Sequence, residues 1–167
     1  MNNTSIKTVA LGLGSAHGDD QFGWIVLDRI RHRDDRLETH KLSQSVDILP
    51  YLDTHTRVDV FDAAAGLPVG LTTLRLEHAD PAARKRIAEI PAHGTHDLSI
   101  GAALSMAMAL GKRTDHLTLW LGRAEQFPAF GPMSPRTKEA VETCVEEFWQ
   151  VACARQSVDP PSIPQLG

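Results

Sequence analysis

Short apolar runs that are bounded by polar or glycine residues recur along this chain, and they predict the strands of a sheet. Runs of this kind, which are typical of buried strands, cover 9–13, 57–61 and 117–121. The stretch 37–42 predicts an edge strand, and the alternation over 71–76 predicts a strand that runs antiparallel to the others.

Helices are predicted between these strands. Apolar residues recur at helical spacing over 22–30, and a shorter helix interrupted by Pro50 is expected over 46–52. The stretch 98–110 is apolar on nearly every side, which predicts a buried helix. Ser134 and Pro135 have the residue types of an N-cap and a first helical position, so a last helix is expected to begin there.

This alternation of strands and helices predicts an α/β fold, a three-layer sandwich. The expected core is a twisted, mostly parallel sheet of about five strands, with helices on both faces. Ligands of such sheets bind outside the carboxyl ends of the strands, at the point where the strand order reverses. The residues that follow the predicted strands are therefore the first candidates for function.

Composition narrows the class of protein. The chain has 167 residues, which predicts a single domain over residues 1–156 followed by a mobile, proline-containing tail over 157–167. The formal net charge of −4 argues against a general nucleic-acid binder. No apolar run approaches the length of a membrane span, and the N-terminal residues do not resemble a signal peptide, so a cytoplasmic location is expected.

A glycine-containing loop with two adjacent carboxylates follows the first predicted strand. Gly12, Gly14 and Gly18 could serve a dinucleotide, but Asp19 and Asp20 stand where a pyrophosphate would bind and would repel it. Asp19 is expected to cap the next helix. That assignment would allow Asp20 to point into the cleft.

Two further polar positions fall at the same edge of the predicted sheet. Asp62 is expected to end its strand and to open a loop of small residues over 63–70, although such an aspartate can also simply form an Asx-turn. Thr95 has the residue type of an N-cap for the helix at 98–110, which would place His96 in the first turn, facing the cleft.

Together Asp20, Asp62 and His96 would form a partial coordination shell. Two carboxylates and one imidazole suit a divalent ion such as Zn²⁺, Ni²⁺ or Cd²⁺ and leave open positions for water or an incoming ligand. His17 is a possible fourth ligand, and His93 is an alternative to His96.

These residues resemble the hydrogenase maturation endopeptidases in their order along the chain. The resemblance is carried by the glycines and acidic pair at 12–23, the strand that leads to Asp62, the pair Thr95-His96, and the Gly-Pro-Met-Ser-Pro entry at 131–135. It extends over roughly residues 7–150. Departures include Ser15 and Gln21, where the family usually has asparagine and glycine.

The resemblance implies a small cytoplasmic α/β endopeptidase. Such an enzyme removes the C-terminal extension of a nickel–iron hydrogenase large-subunit precursor after nickel insertion. Asp20, Asp62 and His96 would then contact nickel carried by the precursor, and zinc or cadmium could occupy the site in vitro. The carboxylates of Asp20 and Asp62 would take the catalytic roles, although either a carboxylate or the metal could activate the water. A homologue that binds metal or precursor without cleaving is the alternative.

Overall fold

A computed structural model describes residues 6–68, 70–76, 85, 99–126 and 130–156. Within these residues a five-stranded sheet forms the middle layer, in the order β2-β1-β3-β5-β4. The strands are β1 (Thr8–Leu13), β2 (Glu38–Leu42), β3 (Arg57–Ala65), β4 (Leu71–Arg75) and β5 (Leu117–Ala124). The helices are α1 (Phe22–Arg33), α2 (Leu49–Thr54), α3 (Ile100–Ala109) and α4 (Pro135–Gln156), and 3-10 helices cover Gly18–Gln21 and Ser45–Ile48.

The predicted α/β architecture is confirmed. Strands β1, β2, β3 and β5 run parallel, and β4 pairs antiparallel with β5 at one edge. Helices α2 and α3 cover one face of the sheet, while α1 and α4 cover the other. The central strands are buried on both faces, which explains why their sequences are continuous apolar runs rather than alternating ones.

Each face of the sheet has its own hydrophobic cluster. On the α1 and α4 face, the rings of Phe61, Trp120 and Phe148 pack together with centroids 5.6 to 5.9 Å apart. On the α2 and α3 face, Leu104 from the helix packs with aliphatic residues of β1, β3 and β5. Burying aromatic side chains of this size is a main source of the stability of a small domain.

Strand β3 is longer than the sequence pattern predicts. The expected end at Asp62 is wrong, because Ala63, Ala64 and Ala65 continue the parallel pairing with Gly122, Arg123 and Ala124 of β5. Small side chains favour a turn in isolation, but hydrogen bonding to a neighbouring strand overrides that local preference.

Helix α3 is not buried on every side, in contrast to the expectation for 98–110. Gly101, Ala103, Leu104 and Ala107 face the sheet, whereas Met106 is 44% exposed. None of the helices in the described residues has the length and apolar content of a membrane-spanning segment. The predicted tail at 157–167 lies outside the described residues.

A buried carboxylate on β3 gives a test of the core. Asp59 is fully buried, accepts a hydrogen bond from Trp120 Nε1 at 3.0 Å, and lies 3.7 Å from an Arg155 nitrogen. Burial raises the pKa of Asp59, and neither the Trp120 hydrogen bond nor the nearby arginines offset it. A carboxyl whose pKa is higher in the folded state destabilises that state once the pH exceeds its unfolded value, about 3.9.

We therefore expect the free energy of unfolding of Asp59→Asn at pH 7 to be at least as large as that of the wild type. The asparagine carbonyl can still accept the Trp120 hydrogen bond. The difference should vanish below about pH 3.5, where both side chains are neutral. Urea unfolding at the two pH values measures this effect, with the exposed Asp28→Asn as control. A large loss of stability in Asp59→Asn at pH 7 would contradict it.

Candidate functional site

The strand order reverses between β1 and β3, and this switch point is where the candidate carboxylates lie. After β1 the chain forms β2 on one side of β1, and it then crosses over to form β3 on the other side of β1. Asp20 belongs to the first 3-10 helix, which follows β1 and contacts β3. Asp62 follows Phe61, the last residue of β3 that is paired with β1. The structure therefore places both residues at the switch point, Asp62 within β3 and Asp20 in the 3-10 helix that contacts β3.

Both carboxylates are withdrawn from bulk solvent. Asp20 is 1% exposed and Asp62 is 7% exposed. The Asp62 Oδ1 atom accepts a hydrogen bond from the backbone N–H of Ala63 at 2.8 Å. Asp62 alternates with Asp59 and Phe61 along β3, so its side chain faces the α2 and α3 side of the sheet. A buried, fixed carboxylate can bind a cation at little further cost in side-chain entropy.

Close backbone packing fixes the loop that carries Asp20. The backbone N–H of Ser15 donates to the Asp20 carbonyl at 3.2 Å, and the Asp20 N–H donates to the His17 carbonyl at 3.0 Å. A Cβ on Gly14 would overlap that same Asp20 carbonyl oxygen, and a Cβ on Gly23 would overlap the carbonyl oxygens of Leu13, the last residue of β1, and Phe61, within β3. Glycine is therefore required at both positions for α1 to approach the sheet.

This packing argues against the dinucleotide interpretation of the loop. The space beside Gly14 is filled by the Asp20 carbonyl, and the backbone of Gly23 contacts Gly12. These glycines bring the chain close to itself, whereas those of a dinucleotide loop bring the backbone close to a pyrophosphate. The acidic pair remains at the start of the helix, where it would repel a phosphate.

Asp19 does not cap the following helix, so that expectation is wrong. Its Oδ2 atom accepts hydrogen bonds from the backbone N–H groups of Glu125 at 2.7 Å and Gln126 at 3.0 Å. Ser134 donates twice, from its backbone N–H to Oδ1 at 2.6 Å and from its hydroxyl to Oδ2 at 2.9 Å. Burial raises the pKa of Asp19, but these hydrogen bonds outweigh it and hold the pKa below its ordinary value.

The His17 side chain interacts with a neighbouring loop. Its Nδ1 atom accepts a hydrogen bond from the backbone N–H of Phe130 at 2.9 Å, and the two rings meet edge to face with centroids 4.6 Å apart. A neutral imidazole that accepts at Nδ1 carries its proton on Nε2. This arrangement leaves the ring no lone pair for a metal, so the geometry does not favour His17 as an additional ligand.

The sequence did not predict the structural features of Gln21 and Phe130. The Gln21 Nε2 atom donates to the carbonyls of Gly18 and Gly131, each at 3.1 Å, and so connects the two loops. Phe130 is 82% exposed and has a positive φ of 51°. A groove of about 630 Å³ lies beside these residues, between α1 and the start of α4, with Ile25 and Met133 in its lining.

The expectation that Thr95 caps the helix over 98–110 is wrong. Helix α3 begins at Ile100, and its N-cap is Ser99, whose hydroxyl accepts a hydrogen bond from Ala102 N–H at 3.1 Å. His96 and His93 both lie outside the described residues. Beyond the other end of α3, Lys112 forms an ion pair with Asp53 of α2.

Within the described residues no group of three His, Cys, Asp or Glu side chains is arranged to hold a metal. One cluster of these residue types joins β2 to the end of α2, where the two oxygens of Glu38 each lie 3.1 Å from an Nε2 atom, one of His40 and one of His55. The hydrogen bond with His55 lowers the pKa of Glu38. Asp20 and Asp62 have the ligand chemistry of a divalent-ion site, but a third ligand would have to come from elsewhere.

The architecture matches proteins of solved structure. The hydrogenase maturating endopeptidase HybD from E. coli superposes with a TM-score of 0.66 at 19% identity, covering 90% of this chain and 93% of that one. The [NiFe] hydrogenase maturation protease HybD from Thermococcus kodakarensis gives a TM-score of 0.63 at 18% identity, over 87% and 99% of the two chains.

The chain has the fold of the hydrogenase maturation endopeptidases. A solution structure of the endopeptidase HycI from Escherichia coli agrees, with a TM-score of 0.63 at 19% identity over 86% of this chain and 91% of that one. No protein-family model matches the sequence, and no curated protein matches it. The likeness thus lies in the fold, which is the one the sequence resemblance implied.

The close contact of Gly23 with backbone carbonyls of β1 and β3 predicts that one added methyl group will lower the stability strongly. Gly23→Ala should lower the free energy of unfolding by about 3 kcal/mol or more, because the backbone of β1 or β3 must move to admit a Cβ. Gly70→Ala is the control, since no heavy atom lies within 4 Å of its Cβ position. Urea unfolding should separate the two variants, and equal stability would show that α1 packs less closely than described.

Proposed function

We propose that this protein is an endopeptidase that removes the C-terminal extension of a nickel–iron hydrogenase large-subunit precursor after nickel has been inserted. The observation that carries the proposal is the pair of buried carboxylates, Asp20 and Asp62, at the switch point of a sheet with the maturation-endopeptidase fold. That edge is where ligands of open α/β sheets bind. The sequence resemblance independently assigns the same two residues to contact with nickel.

In this proposal the nickel ion belongs to the substrate. Cysteine thiolates of the precursor hold the ion, and an open coordination position can accept a carboxylate oxygen from the enzyme. Asp20 belongs to the 3-10 helix that contacts β3, the strand that carries Asp62. A precursor without nickel would offer this pair of carboxylates no counter-charge and would bind weakly.

Binding through nickel would also position the peptide bond. An ion held between precursor and enzyme fixes one part of the substrate and turns hydrolysis into a reaction within a single complex. One of the carboxylates can then act as general base towards a water molecule, or the nickel ion can lower the pKa of that water. In either case the two carboxylates must be ionised and close to the same point.

Cleavage of the precursor is the experiment that tests the proposal. Nickel-loaded and nickel-free precursors are incubated with the protein, and the intact mass of the large subunit is measured. We expect a shortened subunit only from the nickel-loaded precursor. A stable complex without any cleavage would contradict the enzyme and favour a binding homologue. Equal cleavage of both precursors would contradict recognition through nickel.

Asp20→Asn and Asp62→Asn should each slow processing at least about 100-fold, because an amide is a poor ligand and a poor base. Both variants should fold, since an asparagine carbonyl in place of the Asp62 carboxylate can still accept the hydrogen bond from Ala63 N–H. The rate of mass change of nickel-loaded precursor measures the effect. Asp28→Asn is a matched control on the exposed face of α1.

Normal processing by Asp62→Asn would show that the site is elsewhere. The third ligand is tested in the same assay with His96→Ala and His93→Ala. We expect the His96 variant to lose processing and the His93 variant to retain it, as the resemblance implies. The reverse result would assign the imidazole to His93.

A further inference from the structure

The loop that carries Asp20 is attached to a distant part of the chain by an unusual density of hydrogen bonds. The partner is the connection between β5 and α4, which we name the 125–134 connection; its residues 127–129 lie outside the described residues. Backbone N–H groups of Gly18 and Asp19 donate to the carbonyls of Gly131 at 3.1 Å and Gln126 at 2.9 Å. The His17 and Gln21 side chains add further hydrogen bonds to the same connection.

Asp19 is at the centre of this attachment. Its carboxylate is fully buried and accepts four hydrogen bonds, two at each end of the 125–134 connection. A buried charge is tolerated only when its hydrogen-bonding capacity is met, and here it is met by donors 106 to 115 residues away in sequence. An aspartate that only capped its own helix would accept from the N–H groups of that helix.

The attachment also determines where Asp20 stands. Asp20 is the next residue, so its Cα lies about 3.8 Å from that of Asp19. Its own N–H and carbonyl are bonded to His17 and Ser15, within the same short loop. A displacement of Asp19 would therefore move the Asp20 carboxylate, while Asp62 on β3 would stay where the sheet holds it. Misplacing a reacting group by about 1 Å can cost about 100-fold in rate.

We propose that Asp19 is the positioning residue of the site. By binding both ends of the 125–134 connection, it fixes the loop of Asp20 and sets the Asp20 carboxylate relative to Asp62. The link to catalysis rests on the proposed function, whereas the fixing of the loop does not.

Ser134→Ala tests this role with little risk to folding. It removes the hydroxyl donor to Asp19 Oδ2, together with that hydroxyl's hydrogen bond to Thr137 Oγ1, and keeps the backbone N–H that binds Oδ1. The control is Thr143→Ala, which removes a hydroxyl that donates to the Glu139 carbonyl within the same helix. Asp19→Asn should have the larger effect. Its amide nitrogen would face a backbone N–H donor in either of the two positions that the carboxylate oxygens occupy.

Hydrogen exchange of the native protein is the first measurement. We expect the amides of Ser15 and Asp20 to exchange about fivefold faster or more in Ser134→Ala, with Asp19→Asn faster still, while amides of β1 such as Leu11 keep their rates. Thr143→Ala should leave all of these rates unchanged. A uniform increase at every amide would mean that Asp19 has a purely structural role and would overturn the proposal, as would no change at Ser15 and Asp20.

The second measurement is turnover of nickel-loaded precursor. Per folded molecule, Ser134→Ala should lower kcat about 10-fold and raise KM, since the Asp20 carboxylate is proposed both to meet the nickel during docking and to take part in the reaction. Faster local exchange with an unchanged kcat would overturn the link to catalysis. If the wild type itself cleaves no precursor, the proposed function fails, and the exchange rates still decide whether Asp19 positions the loop.

Discussion

The buried carboxylate of Asp19 is the interaction on which the geometry of the candidate site depends. It joins the loop after β1 to the end of β5 and the start of α4, which lie 106 to 115 residues further along the chain. Because four donors are satisfied at once, loss of the carboxylate would leave several buried N–H groups without partners. The adjacent Asp20 takes its position from this arrangement.

Close packing of α1 against the sheet is the second constraint. A Cβ on Gly23 has no room against the carbonyls of Leu13 in β1 and Phe61 in β3, so the start of α1 and the acidic 3-10 helix before it lie close to the switch point. The same packing fills the space beside Gly14 and Gly23 with neighbouring backbone, where a dinucleotide loop would admit a pyrophosphate. The fold thus argues against a phosphate-directed function at this loop.

Local pattern was sufficient to predict much of the fold. The strands β1 and β5, the helix α1 and the entry to α4 at Ser134 and Pro135 follow from apolar spacing and capping residues that act within a few positions. Asp20 and Asp62 could be found because both follow apolar runs, and parallel strands bring such positions to one edge.

The errors of sequence analysis share a physical cause, which is contact between distant residues. Asp19 has the residue type of a cap, but its donors come from residues 125–134. The alanines after Asp62 suggest a loop, but pairing with β5 keeps them extended. Local preference could not settle any of these positions.

The most direct test of the account is to locate a bound Cd²⁺ ion by anomalous diffraction from crystals soaked with the metal. The account predicts one ion between the Asp20 and Asp62 carboxylates, with oxygens of both at about 2.2 to 2.4 Å and at least one coordination position open to solvent. An ion bound at Glu38, His40 and His55 instead, or one that contacts only one of the two aspartates, would contradict it.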